Sequence, residues 1–311
     1  MSFDAPPPPG SPDACTPGAG TTDSGRSART PASTPDPTPG TASRKRVARP
    51  RRFLMAAPRH FDVTYRINPW MHPSAGVDRS LALAQWIAVR DTYRALGHEV
   101  DELTPPRGLP DLVFTANAGL VIGTRVLLSR FRHPQRRGEE AVFRDWFRAH
   151  GYDVVQSSLP NEGEGDCLVV GDTILAASGF RTNPGAHAQI AERFDRPVVS
   201  LVLADPRFYH LDTALAVLDD ATIAYFPDAF TARSRDELER RYPDAIIATE
   251  RDATTFGLNA CSDGRNVVLA AGAADFAATL RERGFVPHLV DTSELQKAGG
   301  SAKCCTLELR P

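Results

Sequence analysis

Apolar residues recur along this chain at two spacings, and the two alternate. Over "LALAQWIAVRDTYRALG" (81–97) they fall at helical spacing until Gly97 stops the run. "EEAVFRDWFRAHG" (139–151), "AHAQIAERF" (186–194) and "ADFAATLRERG" (274–284) read as helices in the same way. "SRDELERRYP" (234–243) is a further helix, with Ser234 as cap and Glu237 as the partner of a capping box. Between them lie short runs of strand chemistry. "DLVFTANAGLVIGTRVLLSR" (111–130) reads as strand, break at "TANAG", and strand, with a tight turn at Gly123-Thr124. "CLVVGDTILAA" (167–177) turns at Gly171-Asp172, and "ALAVLDDATIAYF" (214–226) turns at Asp219-Asp220. "PVVSLVL" (197–203), "NVVLAAG" (266–272) and "VPHLVDT" (286–292) are single strands.

The unit that repeats is a hairpin with a tight polar turn, then a helix, then a strand. The copies share pattern rather than sequence. Repeated ββαβ units predict an α/β ring of modules around a central pore or cleft. A doubly wound parallel sheet is the competing architecture, but it has little use for so many two-residue hairpin turns.

Composition divides the chain. Residues 1–50 hold 11 of the 26 prolines and a single aromatic, Phe3, so they cannot bury enough apolar surface to offset their ordering entropy. Residues 1–51 are therefore expected to be a disordered Pro/Ser/Thr-rich tail. Its basic end, "RKRVARPRR" (44–52), reads as a solvated charge cluster. "RRFLMAAPRHF" looks like the beginning of an ordered domain, expected over residues 52–311 and long enough for one large core. The formal net charge is −2, no apolar run reaches the length of a membrane span, and the N-terminal stretch lacks the apolar core of a signal peptide. A cytoplasmic location is expected, with neither nucleic acid nor membrane as partner. The five cysteines have neither disulfide-framework nor zinc-site spacing, and there is no dinucleotide or P-loop glycine motif, so no metal and no cofactor is expected.

Chemistry concentrates in a few stretches. "PNEGEGDCLVV" (160–170) sets Glu162, Glu164 and Asp166 among glycines before an apolar strand; three such acids repel one another unless cations stand nearby. "FYHLDTALAVL" (208–218) carries His210 and Asp212, which would share a face if the segment were a strand. Asp111 and Asn117 flank the end of an apolar run, and Arg130 and Arg181 are forks suited to a carboxylate. Each of these is ordinary alone: a solvated acidic turn, a satisfied histidine, a surface arginine. The chain closes on "KCCTLELRP" (303–311), with adjacent Cys304 and Cys305. A thiol, a histidine, carboxylates and arginines together suit a guanidine-processing site, where acids grip the guanidinium, the thiolate attacks its carbon, and the histidine moves protons.

"YRINPWM", "LPDLVFTANAGLV", "NEGEGDCL", "FRTN", "YHLDT" and "GGSAKCCTLEL" occur in this order over residues 52–311. In that order they resemble the guanidine-modifying superfamily of deiminases, dimethylarginine dimethylaminohydrolases, amidinotransferases and arginine dihydrolases. The resemblance implies a five-bladed α/β-propeller, the pentein fold, closed by the C-terminal strand, which would deliver the terminal cysteine to the central channel. It implies Cys304 as nucleophile, with strand alternation aiming Cys305 at the opposite face, His210 as general acid/base and Glu162 as catalytic carboxylate. It further implies substrate contacts from Asn68, Asp111, Asn117, Asp166 and Asp212, with Arg130 and Arg181 as the α-carboxylate clamp. The implied activity is hydrolysis of the guanidine C–N bond of arginine or N-methylated arginine, through a covalent thiouronium, to citrulline plus amine or ammonia. Continued hydrolysis to ornithine, amidino transfer to an amine and plain arginine binding are the alternatives. Asn117 stands where the deiminases and the dimethylarginine hydrolases carry Asp; "TANAG" with "HLDT" leans to the dihydrolases, and Cys-Cys with "RTN" to the dimethylarginine hydrolases. The expected partner is a small guanidino substrate, with further copies of the chain allowed.

Overall fold

The computed structural model of the protein describes residues 46–311. The tail expected over 1–51 lies outside the described residues up to position 45. The elements follow in chain order: β1 (Arg52–Ala56), α1 (Arg79–Ala95), β2 (Glu99–Leu103), β3 (Gly119–Ile122), β4 (Arg125–Leu128), α2 (Arg137–Ala149) and β5 (Asp153–Gln156). Next come β6 (Cys167–Val170), β7 (Thr173–Ser178), α3 (Ala186–Phe194), β8 (Val198–Val202) and the one-turn α4 (Leu211–Ala214). Then follow β9 (Leu215–Val217), β10 (Ile223–Tyr225), α5 (Ala232–Arg241), β11 (Ile246–Ile247) and α6 (Glu250–Thr254). The chain finishes with β12 (Cys261–Ser262), β13 (Asn266–Ala270), α7 (Ala274–Glu282), β14 (Val286–Val290), α8 (Ser293–Gln296) and β15 (Leu307–Glu308).

The strands form five three-stranded sheets, and each sheet is one blade. In every blade an antiparallel pair is followed by a helix, which returns the chain to a third strand parallel to the middle one. This is the expected ββαβ unit. The blade holding both ends of the domain takes its first strand, β15, from the C-terminus and pairs it antiparallel with β1. Closure by the last strand is thus as expected, and the architecture is the five-bladed pentein propeller.

Packing follows the apolar pattern. α1 presents Ala82, Trp86, Val89 and Tyr93 to the interior, and its N-terminus is held by Asp78, whose carboxylate accepts from the backbone N–H of Ser80 and Leu81. α2 buries Phe143 and Phe147, each contributing roughly 1.5–3 kcal/mol of transfer free energy. The first strand β9 touches both β6 and β12, and Ile122 at the end of β3 bridges to Arg310 beyond β15, so the first strands face the axis. The third strands lie outside and leave Val155, Val202, Ile247 and Leu289 exposed.

Four local expectations are corrected. "DLVF" is not a strand: 3₁₀ turns run over Pro110–Val113 and Thr115–Ala118, and β3 starts only at Gly119. "HLDT" is not a strand either, because His210 is the extended residue preceding α4. α5 begins after Thr231, whose side chain makes no capping bond, and Ser234 is inside the helix, its hydroxyl accepting from the Val202 N–H; the reciprocal capping box is at Thr249 and Asp252. The basic end of the tail is only partly solvated, with Arg46 and Arg51 half-buried. Arg46 pairs with Asp219 and stacks over Phe285, the Arg49 N–H donates to the Asp263 carbonyl, and Arg51 pairs with Glu308. The domain therefore includes residues 46–51.

Those contacts predict that a chain starting at residue 52 melts below one starting at residue 46. The partly buried Arg46 and Arg51 contacts together are worth about 2 kcal/mol, or a few degrees at this size. Calorimetric scans of the two truncations check this, and equal melting temperatures would show that the segment only lies on the surface.

Candidate active site

The functional side chains share one structural address, the segment just before the first strand of a blade. Asn117 precedes β3, Glu162 and Asp166 precede β6, His210 and Asp212 precede β9, Asn259 precedes β12, and Cys304 precedes β15. All are buried. Two glycines make the crowding possible. Gly163 holds φ at +57° against the backbone of Gly119, and a Cβ on Gly165 would sit 2.3 Å from Asn117 Nδ2 and 3.2 Å from His210 Nδ1.

Cys304 lies in a turn ahead of β15 rather than on the strand, so strand alternation does not set the directions of the two thiols. They still part. Cys304 Sγ lies 3.3 Å from Asp212 Oδ2, whereas burial and the nearby Cys261 push the Cys305 thiol up. Asn259, which the sequence reading missed, organises the turn around Cys304. Its Nδ2 donates to Cys304 Sγ at 3.1 Å and to the Asp212 carbonyl at 3.0 Å, and its Oδ1 accepts from the N–H groups of Ser301 and Cys304. Burial, with Asp212 beside it, raises the Cys304 thiol well above its ordinary value. Burial also pushes Asp212 up to about 7, against the opposing pull of Lys303 and the hydrogen bonds from Cys304 and Asn259.

Glu162 is the hub of the second cluster. Its Oε2 lies 2.8 Å from His210 Nε2 and accepts from Arg181 at 2.9 Å, while its Oε1 accepts from the Arg132 N–H. Burial pushes this carboxyl upward, but Arg181, His210 and Arg136 outweigh it and hold Glu162 well below the usual range. The hydrogen bond from Nε2 leaves His210 Nδ1 as the ring nitrogen that has no partner among the described residues. Arg181 also donates to the Ile67 carbonyl and lies 4.6 Å over the Tyr209 ring.

The other expected site residues divide. Asn68, Asp111, Asn117, Arg181 and Cys304 line one small cavity together with Arg136. Its volume of about 10 Å³ holds one water at most, so a substrate enters only as its walls part. Arg130 is not among them: it is exposed, with its Nε on the Ser157 carbonyl. Arg136 takes its place. It is buried, forks onto both oxygens of Glu139, and donates to Asn117 Oδ1 at 2.7 Å. Asp166 does not line the cavity; its oxygens accept from the N–H groups of Thr182 and Leu211, so it positions the turns carrying Arg181 and His210. Asn68 donates to the Ala298 carbonyl and accepts from the Trp70 N–H, which fixes the loop over the site. Asp111 accepts from the Tyr65 hydroxyl through Oδ2. Its Oδ1 and the Oδ1 of Asp212 are buried acceptors with no partner among the described residues. A thiol flanked by unsatisfied carboxylate oxygens, a histidine anchored on a carboxylate and two lining arginines can bind and attack a zwitterionic cation.

The family model described as N,N dimethylarginine dimethylhydrolase, eukaryotic, matches residues 50–311. The N(G),N(G)-dimethylarginine dimethylaminohydrolase of Mycobacterium tuberculosis is 53% identical over 267 residues, which cover 86% of this chain and 88% of that protein. The bifunctional arginine dihydrolase/ornithine cyclodeaminase ArgZ of Synechocystis is 41% identical over 83% of this chain, which spans only 37% of that longer protein. The crystal structure of the ArgZ N-terminal domain, a Cys-to-Ser variant bound to substrate, superposes with a TM-score of 0.80 at 40% identity, covering 84% of this chain and 98% of that one. A structure of an Asn-to-Ser variant of the same domain is covalently bound to a reaction intermediate. With its matched residues spanning the whole propeller, the chain belongs to the N,N dimethylarginine dimethylhydrolase family.

Proposed function

We propose that this hydrolase of linear-amidine C–N bonds acts on N-methylated arginine, releasing the methylated amine and citrulline through a covalent adduct on Cys304. The observation that carries the reading is the buried pair of Cys304 Sγ and Asp212 Oδ2 at 3.3 Å, beside the cavity that Cys304 lines together with Arg136 and Arg181. Neither member of that pair ionises readily alone. A guanidinium between them supplies the missing positive charge, favours the carboxylate, and lowers the cost of forming the thiolate. The substrate thus activates its own nucleophile. Arg136 and Arg181 receive the α-carboxylate, and Asp111 Oδ1 and Asp212 Oδ1 accept from N–H groups of the cation.

The chemistry then runs in two halves. Cys304 gives its proton to His210 Nδ1 as its sulfur adds to the guanidinium carbon, and Nδ1 passes that proton to the departing amine, which leaves an S-alkylthiouronium. The same Nδ1 takes a proton from water as it adds to that carbon. Collapse expels the thiolate and leaves the ureido product. Glu162 keeps the imidazole oriented through both halves.

A second reading, arginine dihydrolase, has one observation in its favour. Asn117 is an amide, and its Nδ2 is held only by a long 3.3 Å bond to the Glu162 carbonyl, so it can turn to a ureido oxygen. A panel of arginine, monomethylarginine, dimethylarginine and citrulline, with products identified by mass spectrometry, decides between them. Dimethylamine and citrulline from dimethylarginine, with no ornithine and no turnover by Cys304→Ser, are expected. Ornithine from arginine, reduced to citrulline by Asn117→Asp, would establish the dihydrolase instead.

The placement of the arginines predicts unequal losses. Arg136→Lys keeps a cation for Glu139 but loses the fork, and should lower kcat/KM by about 10²-fold, chiefly through KM. Arg130→Ala should stay within about twofold. Steady-state kinetics check both, and the reverse order would return Arg130 to the clamp.

The pH dependence follows from Asp212. Its carboxyl is pushed up to about 7, so in the free enzyme it gains a proton as the pH falls through neutrality and loses its grip on the cation. kcat/KM should therefore drop below about pH 7, approaching tenfold per pH unit. A flat profile from about pH 5.5 to 8 would mean that Asp212 is already ionised without substrate.

A further inference from the structure

A second cavity, of about 330 Å³, lies at the opposite end of the channel from the catalytic thiol. Its lining comes from first strands of all five blades, including Ile122, Val169, Val217, Ser262 and Glu308, whereas the catalytic groups sit before the beginnings of those strands. None of the ten residues lining the catalytic cavity lines this one.

Its electrostatics are unbalanced. Glu164, one of the three crowded acids, takes no part in the catalytic cluster: it is fully buried and holds both Lys303 and Arg310. Glu308 is likewise shared, between Arg51 and Arg310. Asp219 and Asp220, also in the lining, are taken by Arg46 and Arg49. Arg196 lines the cavity with no acidic partner among the described residues and donates only to the Gly171 carbonyl. Four cations, Arg51, Arg196, Lys303 and Arg310, therefore share two carboxylates, and a terminal carboxylate on Pro311 would still leave one positive charge unmatched. Arg51 Nε is buried and has no hydrogen-bond partner among the described residues. Beside these forks stands an apolar wall of Phe53, Leu168, Leu215 and Val217.

We propose that this cavity is a second ligand site, which takes a small organic anion: a carboxylate or phosphate group held by Arg51, Arg196 and Arg310, with an apolar body against the wall around Phe53 and Leu215. An anion there matches the excess charge, and the arginine forks suit the oxygens of either group. The apolar wall argues for an organic anion over a bare inorganic one.

Calorimetric titration of the full chain at constant ionic strength tests this with phenyl phosphate, benzoate and inorganic phosphate. One saturable site per chain is expected, with phenyl phosphate binding about tenfold tighter than inorganic phosphate because its ring is buried. The comparison with benzoate shows which anionic group is preferred. Arg51→Gln and Arg196→Gln should each weaken binding about fivefold or more while leaving turnover without ligand within about twofold. Two variants are used so that a folding defect in one does not decide the outcome. Absence of saturable binding to the wild-type chain would overturn the proposal. So would undiminished binding in both variants, or displacement of the anion by saturating arginine, which would put it in the catalytic cavity. The heats do not depend on which guanidino compound the enzyme hydrolyses, so this proposal and the proposed activity fail separately.

Discussion

A thiol and a carboxyl 3.3 Å apart and cut off from water cannot both be anions unless a cation joins them. Most of the channel is arranged around that constraint. Asn259 holds the thiol with an uncharged donor, which fixes the sulfur without stabilising the thiolate so far that the free enzyme becomes a standing nucleophile. Lys303 is close enough to Asp212 to pull its pKa downward, yet its ammonium is spent on Glu164 at 2.6 Å, so it tempers the cost of the carboxylate without replacing the substrate's charge. In the proposed mechanism the partnerless acceptor oxygens of Asp111 and Asp212 are tolerable for the same reason: the ligand that satisfies them is also the ligand that ionises the thiol.

The fold meets this constraint by repetition. Every blade begins with a strand along the axis, so every segment entering a blade delivers its side chains to one end of one channel. Five such entries, distant in sequence, bring a histidine, carboxylates, an amide and a thiol within a few ångströms. Several charged groups then find a partner across a blade boundary, although Arg181 meets Glu162 within one blade. Arg181 and His210 both reach Glu162, and Lys303 and Arg310 both reach Glu164. Losing one partner would strand a buried charge, so these ion pairs tie blade position to site geometry more than they add stability.

Much of this was legible in the chain because two physical signals are local. The helical apolar spacing placed α3 to the residue, and the Gly123-Thr124 and Gly171-Asp172 turns fall between paired strands as their residue types require. The failures lie where tertiary context overrides pattern. His210 and Asp212 reach the site because α4 begins between them, turning one toward Glu162 and the other toward Cys304; an i, i+2 rule puts both at the site for the wrong reason. Ser234 has a capping residue's chemistry but spends its hydroxyl on β8. Arg136 was hidden between Arg132 and Arg137, two exposed arginines of identical type. Its mark was Glu139 three residues on, a pairing that only burial makes meaningful. Asn259 did leave a trace. It stands two residues before the first strand of its blade, as Asn117 does before β3, so "TANAG" and "LNAC" are one device used twice.

That equivalence bears on why position 117 carries an amide. Asn259 uses its amide to donate to a sulfur and accept from backbone N–H groups, a two-sided role that a carboxylate cannot fill. Asn117 is two-sided as well, accepting from Arg136 and donating to the Glu162 carbonyl. Arg136 already has the full bidentate grip of Glu139, whose own carboxyl burial pushes up to about 7 despite that pairing. Asp111, Glu139 and Glu162 are all buried around the same guanidinium. A further carboxylate at 117 would compete for a cation that is already shared, and would have no donor to offer the Glu162 carbonyl. The amide leaves Arg136 with positive charge to spare for a substrate carboxylate. In the proposed mechanism the charge missing from position 117 is thus felt at the α-carboxylate end of the substrate, through Arg136, as well as at the reacting end.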